Sequence, residues 1–510
     1  MRSGIIALLI GASALLEQAN AQAPAPSGGG TIATQLPLSG RGLQTGGATV
    51  TETPIPGTTA SVNTINPAIQ VQGPYAGSVS GAGRPFAGKL SLREAVDRGI
   101  AYNLGTKGIS LAMLQAHGQM TVSRSSLLPN LNGSLSESVL QSDLAAQGLR
   151  ISAPIPGFRF PTIVGPFNYF DLRVRLTQAF ADFAAYNNYK STIETLRADT
   201  FLAKDARDLV VLAVGGAYLQ TVAAKARIVA AQAQLQTANA LFDQTDQQRA
   251  AGLVARIDAN RSQIQVLTQK QRMTSLENDF AKQKINLARL IGLPPNSRYE
   301  LTDDIPYADA PPLGEEDAVR QALAQRQDVM AADAQIRAAD RVRAAAKAER
   351  LPSLSLAADY GVTGTNPSES HGTFSVVGTL KVPIWQGGRT AGDIEQANAV
   401  LDQRRAELED LKSRVESEVR NAFLDLQAAT SQVDVARKNV DVAQDTLILT
   451  KQRLDAGITD AVEVSQAETS VASAQLDLIN SVFAHNLAKL SLARAEGSAA
   501  ESLAKYLKVP

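Results

Sequence analysis

Residues 184–251 and 389–456 contain no proline and few glycines. At a rise of 1.5 Å per residue, each can run as a single helix of about 100 Å. No ordinary globular core is that long, so the chain must either build rods or find partners for them. After Gly252 and Gly457 the helical pattern resumes to residues 291 and 495, a further span of about 60 Å at the same rise.

The two rods belong to an internal duplication. Val214 to Gly292 aligns without a gap onto Val419 to Gly497, a constant offset of 205 residues. Matched identities include Leu219 with Leu424, Ala251-Gly252 with Ala456-Gly457, and Leu287-Ala288-Arg289 with Leu492-Ala493-Arg494. Upstream, Leu128-Pro129-Asn130-Leu131 echoes Leu351-Pro352-Ser353-Leu354. A repeat this long excludes short solenoid units. Each half opens with a proline-free helical stretch, 92–128 and 315–351, stopped by a proline that cannot continue it. Two strand candidates follow in each, 130–140 with 169–180 and 353–363 with 373–385. Leu172, Val174 and Leu176, like Leu354, Leu356, Ala358 and Tyr360, alternate so that each strand has one apolar face. The fold class expected is mainly α with a small β part, in two repeats of helix, strand, strand, long helix and helix. The shorter helices of each half, stacked end to end, match the long one in length.

Leu426, Val433, Val440, Leu447 and Leu454 recur every seven residues, interleaved with Ala429, Ala436 and Ala443, the spacing of a coiled-coil seam. Val435, Val442 and Leu449 form a second stripe beside it. A helix in a simple hairpin needs one narrow seam, whereas a helix with neighbours on two flanks, as in a cylinder, needs a wider apolar surface.

The N-terminus carries Arg2, an apolar run over 5–16 and Ala19-Asn20-Ala21, the pattern of a secretory signal cleaved after Ala21. That run is too short to span a bilayer, and no later run is expected to do so. Residues 22–88 are rich in Gly, Pro, Ser and Thr, a composition that points to a disordered leader. The expected organisation is thus signal 1–21, leader 22–88, repeats 89–297 and 315–497 joined by a linker 298–314, and a tail 498–510. The chain has no cysteine, so disulfides and acylation of a cysteine after the signal are both excluded. Lys plus Arg equals Asp plus Glu at 49 each, and without a basic surplus or patch nucleic acid is not an expected partner.

These features resemble the TolC-like outer-membrane factor family. The resemblance rests on Leu90-Ser91-Leu92-Arg93-Glu94-Ala95, the paired Leu-Pro-x-Leu segments, Val382-Pro383-Ile384-Trp385-Gln386-Gly387-Gly388 and the Ala-Gly tips, in the same order twice over. It implies a homotrimer in the outer membrane lipid, with a twelve-stranded β-barrel on a periplasmic α-helical barrel. The implied function is exit duct of a tripartite efflux pump or type I secretion system, working with a periplasmic adaptor protein and an inner-membrane pump or ABC transporter. The alternative is a soluble periplasmic or secreted coiled-coil scaffold. Two departures stand out: Leu104 follows Asn103, and Gln327 follows Arg326, where proline is usual.

The resemblance also implies sites. Gly252, Leu253, Val254 and Gly457, Ile458, Thr459 correspond to adaptor-docking tips. Asp258 and Glu463 match carboxylate positions near the pore constriction, and Gln466 stands where some relatives add a second acid. Thr459 stands where many have arginine, so the usual ion pair needs another donor, for which Arg256 is the candidate. A positive-φ glycine with a carboxylate in the next helix's first turn also suits a plain helix reversal. His117, His371 and His485 have no ligand-like spacing. No phosphate loop, nucleophile elbow or catalytic acid pair is present, so neither enzyme activity nor a cofactor is expected.

Overall fold

The computed structural model describes residues 47–54, 61–68, 73–79, 86–146, 148, 161–303, 307–309, 314–459 and 461–507. All of them lie in one unit, residues 44–510. The expected signal and the start of the leader lie outside the described residues.

Three short strands come first: β1 (Gly47–Pro54), β2 (Ser61–Ala68), which pairs with it antiparallel, and β3 (Gly88–Leu90). The first repeat follows as α1 (Leu92–Tyr102), α2 (Leu104–Ser125), β4 (Asn130–Asp143), β5 (Ile163–Ala181), α3 (Phe183–Ala250) and α4 (Arg256–Leu290). After β6 (Tyr299–Leu301), the order recurs as α5 (Glu315–Gln325), α6 (Gln327–Ala348), β7 (Ser353–Gly364), β8 (His371–Lys381), α7 (Arg389–Asp455) and α8 (Ala461–Ala495), closed by α9 (Ala499–Leu507). The helices of the first half are 11, 22, 68 and 35 residues long, and those of the second 11, 22, 67 and 35. Local chemistry sets the starts. Ser91 accepts from the Glu94 amide at 3.2 Å, and Asp182 caps α3 at the Ala185 amide, satisfying donors that a helix N-terminus leaves free.

Where one helix was expected over 92–128 and another over 315–351, the structure breaks each in two. Proline is not the cause. Asn103 is extended, accepts from the Gly105 amide and donates to the Tyr75 carbonyl, both at 2.8 Å. The Tyr75 ring lies where any side chain at Gly105 would stand. Arg326 breaks the second helix in the same extended conformation, its guanidinium held by Asp328, Glu418 and the Ala495 carbonyl.

The leader also departs from its expected disorder. Besides the β1–β2 hairpin, Tyr75 is buried, Val79 donates to the Tyr102 carbonyl and the Ser78 hydroxyl to that of Arg289. One aromatic anchor and a few backbone bonds outweigh a composition averaged over the whole stretch. The linker contributes β6, which pairs parallel with β3. In the tail, α9 buries Leu503, Tyr506 and Leu507 in the main core. Contrary to expectation, the centre of α3 is long and apolar enough to cross a membrane. That stretch is 78% buried inside the protein, so its apolarity serves the core.

The helices stand in columns. The central helix α3 packs against α2 and α4, and separately against α6 and α8. The main helix contacts of α7 are with α5, α6 and α8. One flank of α7 and one flank of the α2 and α4 column therefore face solvent. The seam residues Leu426, Ala429, Val433, Ala436, Val440 and Ala443 are buried, whereas the second stripe, Val435, Val442 and Leu449, is 67%, 64% and 59% exposed.

Strands β4, β5, β7 and β8 form one antiparallel sheet in that order, so the two repeats join through β5 and β7. In register, Leu135 lies opposite Leu172, Val174 opposite Tyr360, and Tyr360 opposite Phe374, all of them exposed. Alternate residues on the other face are mostly polar or small, with Leu140, Phe167, Tyr169 and Val377 as exceptions. There Arg173 pairs with Asp171 at 3.2 Å and with Asp359 across the seam between repeats. The sheet thus has one apolar and one polar face, with β4 and β8 as its edges.

Candidate functional site

Both long helices end on the same backbone device. At the first tip the Leu253 amide reaches back to the Gln248 carbonyl, and at the second the Ile458 amide reaches that of Arg453, each at 2.9 Å. Gly252 and Gly457 provide the left-handed residue, with φ of +78° and +68°, which a side chain would strain. Beyond the turn, Leu253 and Ile458 project into solvent, 75% and 69% exposed. Two apolar side chains at matched positions therefore crown the two hairpins.

Each expected gate carboxylate is held inside its own hairpin. Asp258 lies in the first turn of α4, 3.5 Å from Arg261. Glu463, in the first turn of α8, pairs with Arg453 at 2.9 Å and accepts from the Thr459 hydroxyl. The ion-pair donor at the second tip is thus Arg453 of the preceding helix, not Arg256, which is exposed at the start of α4. Gln466 is exposed one turn beyond Glu463. A signal for Arg453 existed: it lies before Gly457 and Glu463 lies after it, so folding the hairpin at the glycine brings them together. Deeper in the same hairpin, Lys451 lies 3.5 Å from Glu468. Burial holds that carboxyl above the usual range, opposed by the lysine. In the first hairpin a neutral pair, the Thr245 hydroxyl donating to that of Ser262 at 3.0 Å, bridges α3 and α4 instead. One tip is closed by ionic contacts, the other by a hydroxyl pair.

Of the three histidines, His117 and His371 are exposed and His485 is buried. No cluster of metal-ligating side chains occurs among the described residues. Trp385 is 88% exposed beyond the end of β8.

A model of the outer membrane efflux protein family matches residues 110–293 and 318–498, one segment in each repeat. The chain belongs to this family. Nodulation protein T of Rhizobium leguminosarum bv. trifolii is 23% identical over 405 residues, covering 77% of this chain and 82% of that protein. Outer membrane protein OprJ of Pseudomonas aeruginosa is 25% identical over 445 residues, covering 81% and 85%. The solved structure of the Campylobacter jejuni CmeC outer membrane channel shares the fold, with a TM-score of 0.68 at 18% identity, over 80% of this chain and 86% of that one. As a family member this protein is an outer-membrane efflux or secretion channel, and a soluble coiled-coil scaffold is set aside. Strands β4, β5, β7 and β8 are 14, 19, 12 and 11 residues long.

Proposed function

We propose that this chain is one protomer of a homotrimer that forms a passive duct through the outer membrane and periplasm. Its four strands contribute to a twelve-stranded barrel and its helices to a tunnel below. A periplasmic adaptor docks on the tips around Gly252, Leu253, Val254, Gly457, Ile458 and Thr459, and an inner-membrane pump or ABC transporter supplies the energy. Asp258, Glu463 and Gln466 contribute to the constriction at the tunnel's end.

One observation carries this reading: a single chain leaves matching edges open at both levels. Among the described residues, strands β4 and β8 each lack a neighbour on one side, and unpaired backbone groups within lipid cost several kcal/mol each. On the helices, the exposed stripe of α7 needs cover, and so do Ile257, Ile264 and Leu267 on α4, which are 57%, 61% and 57% exposed. Because the two open flanks differ, head-to-tail association of copies covers both and closes a ring. With Asp258 and Glu463 repeated in each protomer, the constriction would gather like charges, which the pairs with Arg261 and Arg453 offset.

The assembly is tested by fractionation. The protein is expected in the outer membrane and, in detergent, as a species of three chains that collapses to one on heating. Quantitative recovery as a soluble monomer would remove the proposal. The tips are tested by Gly457→Val. Its left-handed φ costs about 1–2 kcal/mol with a side chain, and nothing lies within 4 Å of the added Cβ. Trimers are expected to persist while export in cells with the partner pump falls several-fold. Undiminished export would count against adaptor docking at this turn.

A further inference from the structure

Strands β4 and β5 outrun the rest of their sheet. Strand β7 ends at Gly364, opposite Phe170, and β8 begins at His371, opposite Thr363. Beyond that level, residues 163–169 of β5 pair among the described residues only with β4, as a two-stranded ribbon about 20 Å tall at 3.4 Å per residue.

Polarity changes faces at the same level. Within the sheet, Ser134 and Ser136 of β4 lie opposite Arg173 and Asp171 on the polar face. Along the ribbon that face continues as Ser138 opposite Tyr169 and then Leu140 opposite Phe167. It has turned apolar, and Leu140, Phe167 and Tyr169 are 44%, 36% and 38% exposed in the single chain. The other face gains Glu137, opposite Phe170, and Asn168, opposite Val139, where the sheet below carries Leu135 opposite Leu172. A strand that passes from lipid into water no longer needs an apolar outer face, whereas an apolar inner face in water needs cover. The ribbon is also bent. Its register shifts between Leu140 and Ser142, and Gly165, at φ +112°, lies so close to β4 that a Cβ would stand 2.6 Å from the Leu140 carbonyl oxygen. Such irregularities curve a ribbon locally.

We propose that the three ribbons of the trimer lean over the barrel's mouth and bury Leu140, Phe167 and Tyr169 against their copies, closing an apolar collar at the end of the duct remote from the tips. The collar rests on the trimeric reading. Copies of this chain are the occupant because β4, one strand of the ribbon, is also the edge at which protomers join, and the polar face that runs up into Tyr169 and Phe167 is the one that would line the duct. Three matched apolar faces then look onto one axis. An uncharged, apolar ring hinders bulky polar solutes entering from outside, as hydrophobic constrictions do in other pores.

The chain has no cysteine, so single thiols test the collar in intact cells. With Phe167→Cys, a short bis-maleimide is expected to join copies into covalent dimers, at a yield about tenfold above Asn168→Cys, whose side chain points to the opposite face. Leu140→Cys reports on the same face as residue 167, should Phe167→Cys fail to assemble. Ser136→Cys places a thiol on the duct side below the collar. There a small methanethiosulfonate added outside is expected to react, while a maleimide carrying a bulky polyethylene glycol reacts about tenfold more slowly than at Asn168→Cys. Adding Phe167→Ser and Tyr169→Ser is expected to remove most of that difference. Equal cross-linking at 167 and 168, none at 167 or 140 in a chain that forms heat-sensitive trimers, or equal access of the bulky reagent to 136 and 168 would overturn the collar. Absence of heat-sensitive trimers from the unaltered chain would instead remove the trimeric reading, and the collar with it.

Discussion

Val442→Glu is expected to abolish trimers while leaving the single chain's helical content intact. Val442 is 64% exposed on the open flank of α7, so in an isolated chain a glutamate there meets water and, if anything, improves helix propensity. Only in the assembly would that carboxylate face the apolar stripe of a neighbouring column. Burying it unpaired costs several kcal/mol, and a ring of three repeats the penalty at every interface. The expected result is a loss of heat-sensitive trimers of at least about a hundredfold, a conversion of about 3 kcal/mol at 1.4 kcal/mol per tenfold, with the circular dichroism of the helices unchanged. Val440→Glu is the contrasting control. Val440 is 8% exposed inside the α7–α8 cluster, so glutamate there should damage the hairpin itself. Wild-type trimers from Val442→Glu would mean that this flank is not an interface.

The two stripes of α7 show what sequence can carry. Heptad spacing separated Leu426, Val433 and Val440 from Val435 and Val442, and burial divides them along the same line. The long rods and four strands were legible because proline, glycine and alternation act locally. The tip turns were legible for the same reason, since Gly252 and Gly457 need only their own backbone to reverse a helix. What stayed hidden depends on residues far apart in the chain. Asn103 breaks a helix with the help of Tyr75, 28 residues earlier, and no window around residue 103 contains that tyrosine. The leader's composition concealed the anchor, and the tail gave no sign that α9 would insert Leu507 into the core. At the tips, the carboxylates at 258 and 463 came from resemblance, while their cations were within local reach: Arg261 lies one turn along the same helix as Asp258, and Arg453 stands across the Gly457 turn from Glu463.

Arg326→Met is the second change expected to act strongly, through stability and not assembly. Arg326 is 3% exposed and joins three elements. It binds Asp328 with two nitrogens at 3.1 and 2.7 Å, Glu418 of α7 at 2.6 Å and the Ala495 carbonyl at the end of α8 at 3.3 Å. Its stem also fills the space beside Gly497, where any Cβ would come within 2.7 Å of it. Methionine approximates the stem but leaves Asp328, itself 8% exposed, without its cation. Breaking a buried pair from one side costs about 3–5 kcal/mol, because the remaining charge is uncompensated. Thermal unfolding of Arg326→Met should therefore begin several degrees lower. Adding Asp328→Asn removes the stranded charge, and the double variant is expected to recover part of the loss, a coupling that a double-mutant cycle isolates. If the single variant melts like the unaltered chain, the bend at residue 326 is held by backbone and apolar packing alone. If the double variant is worse than the single by the full cost of Asp328→Asn, the two side chains act independently and the buried pair is not what joins α6 to α7 and α8.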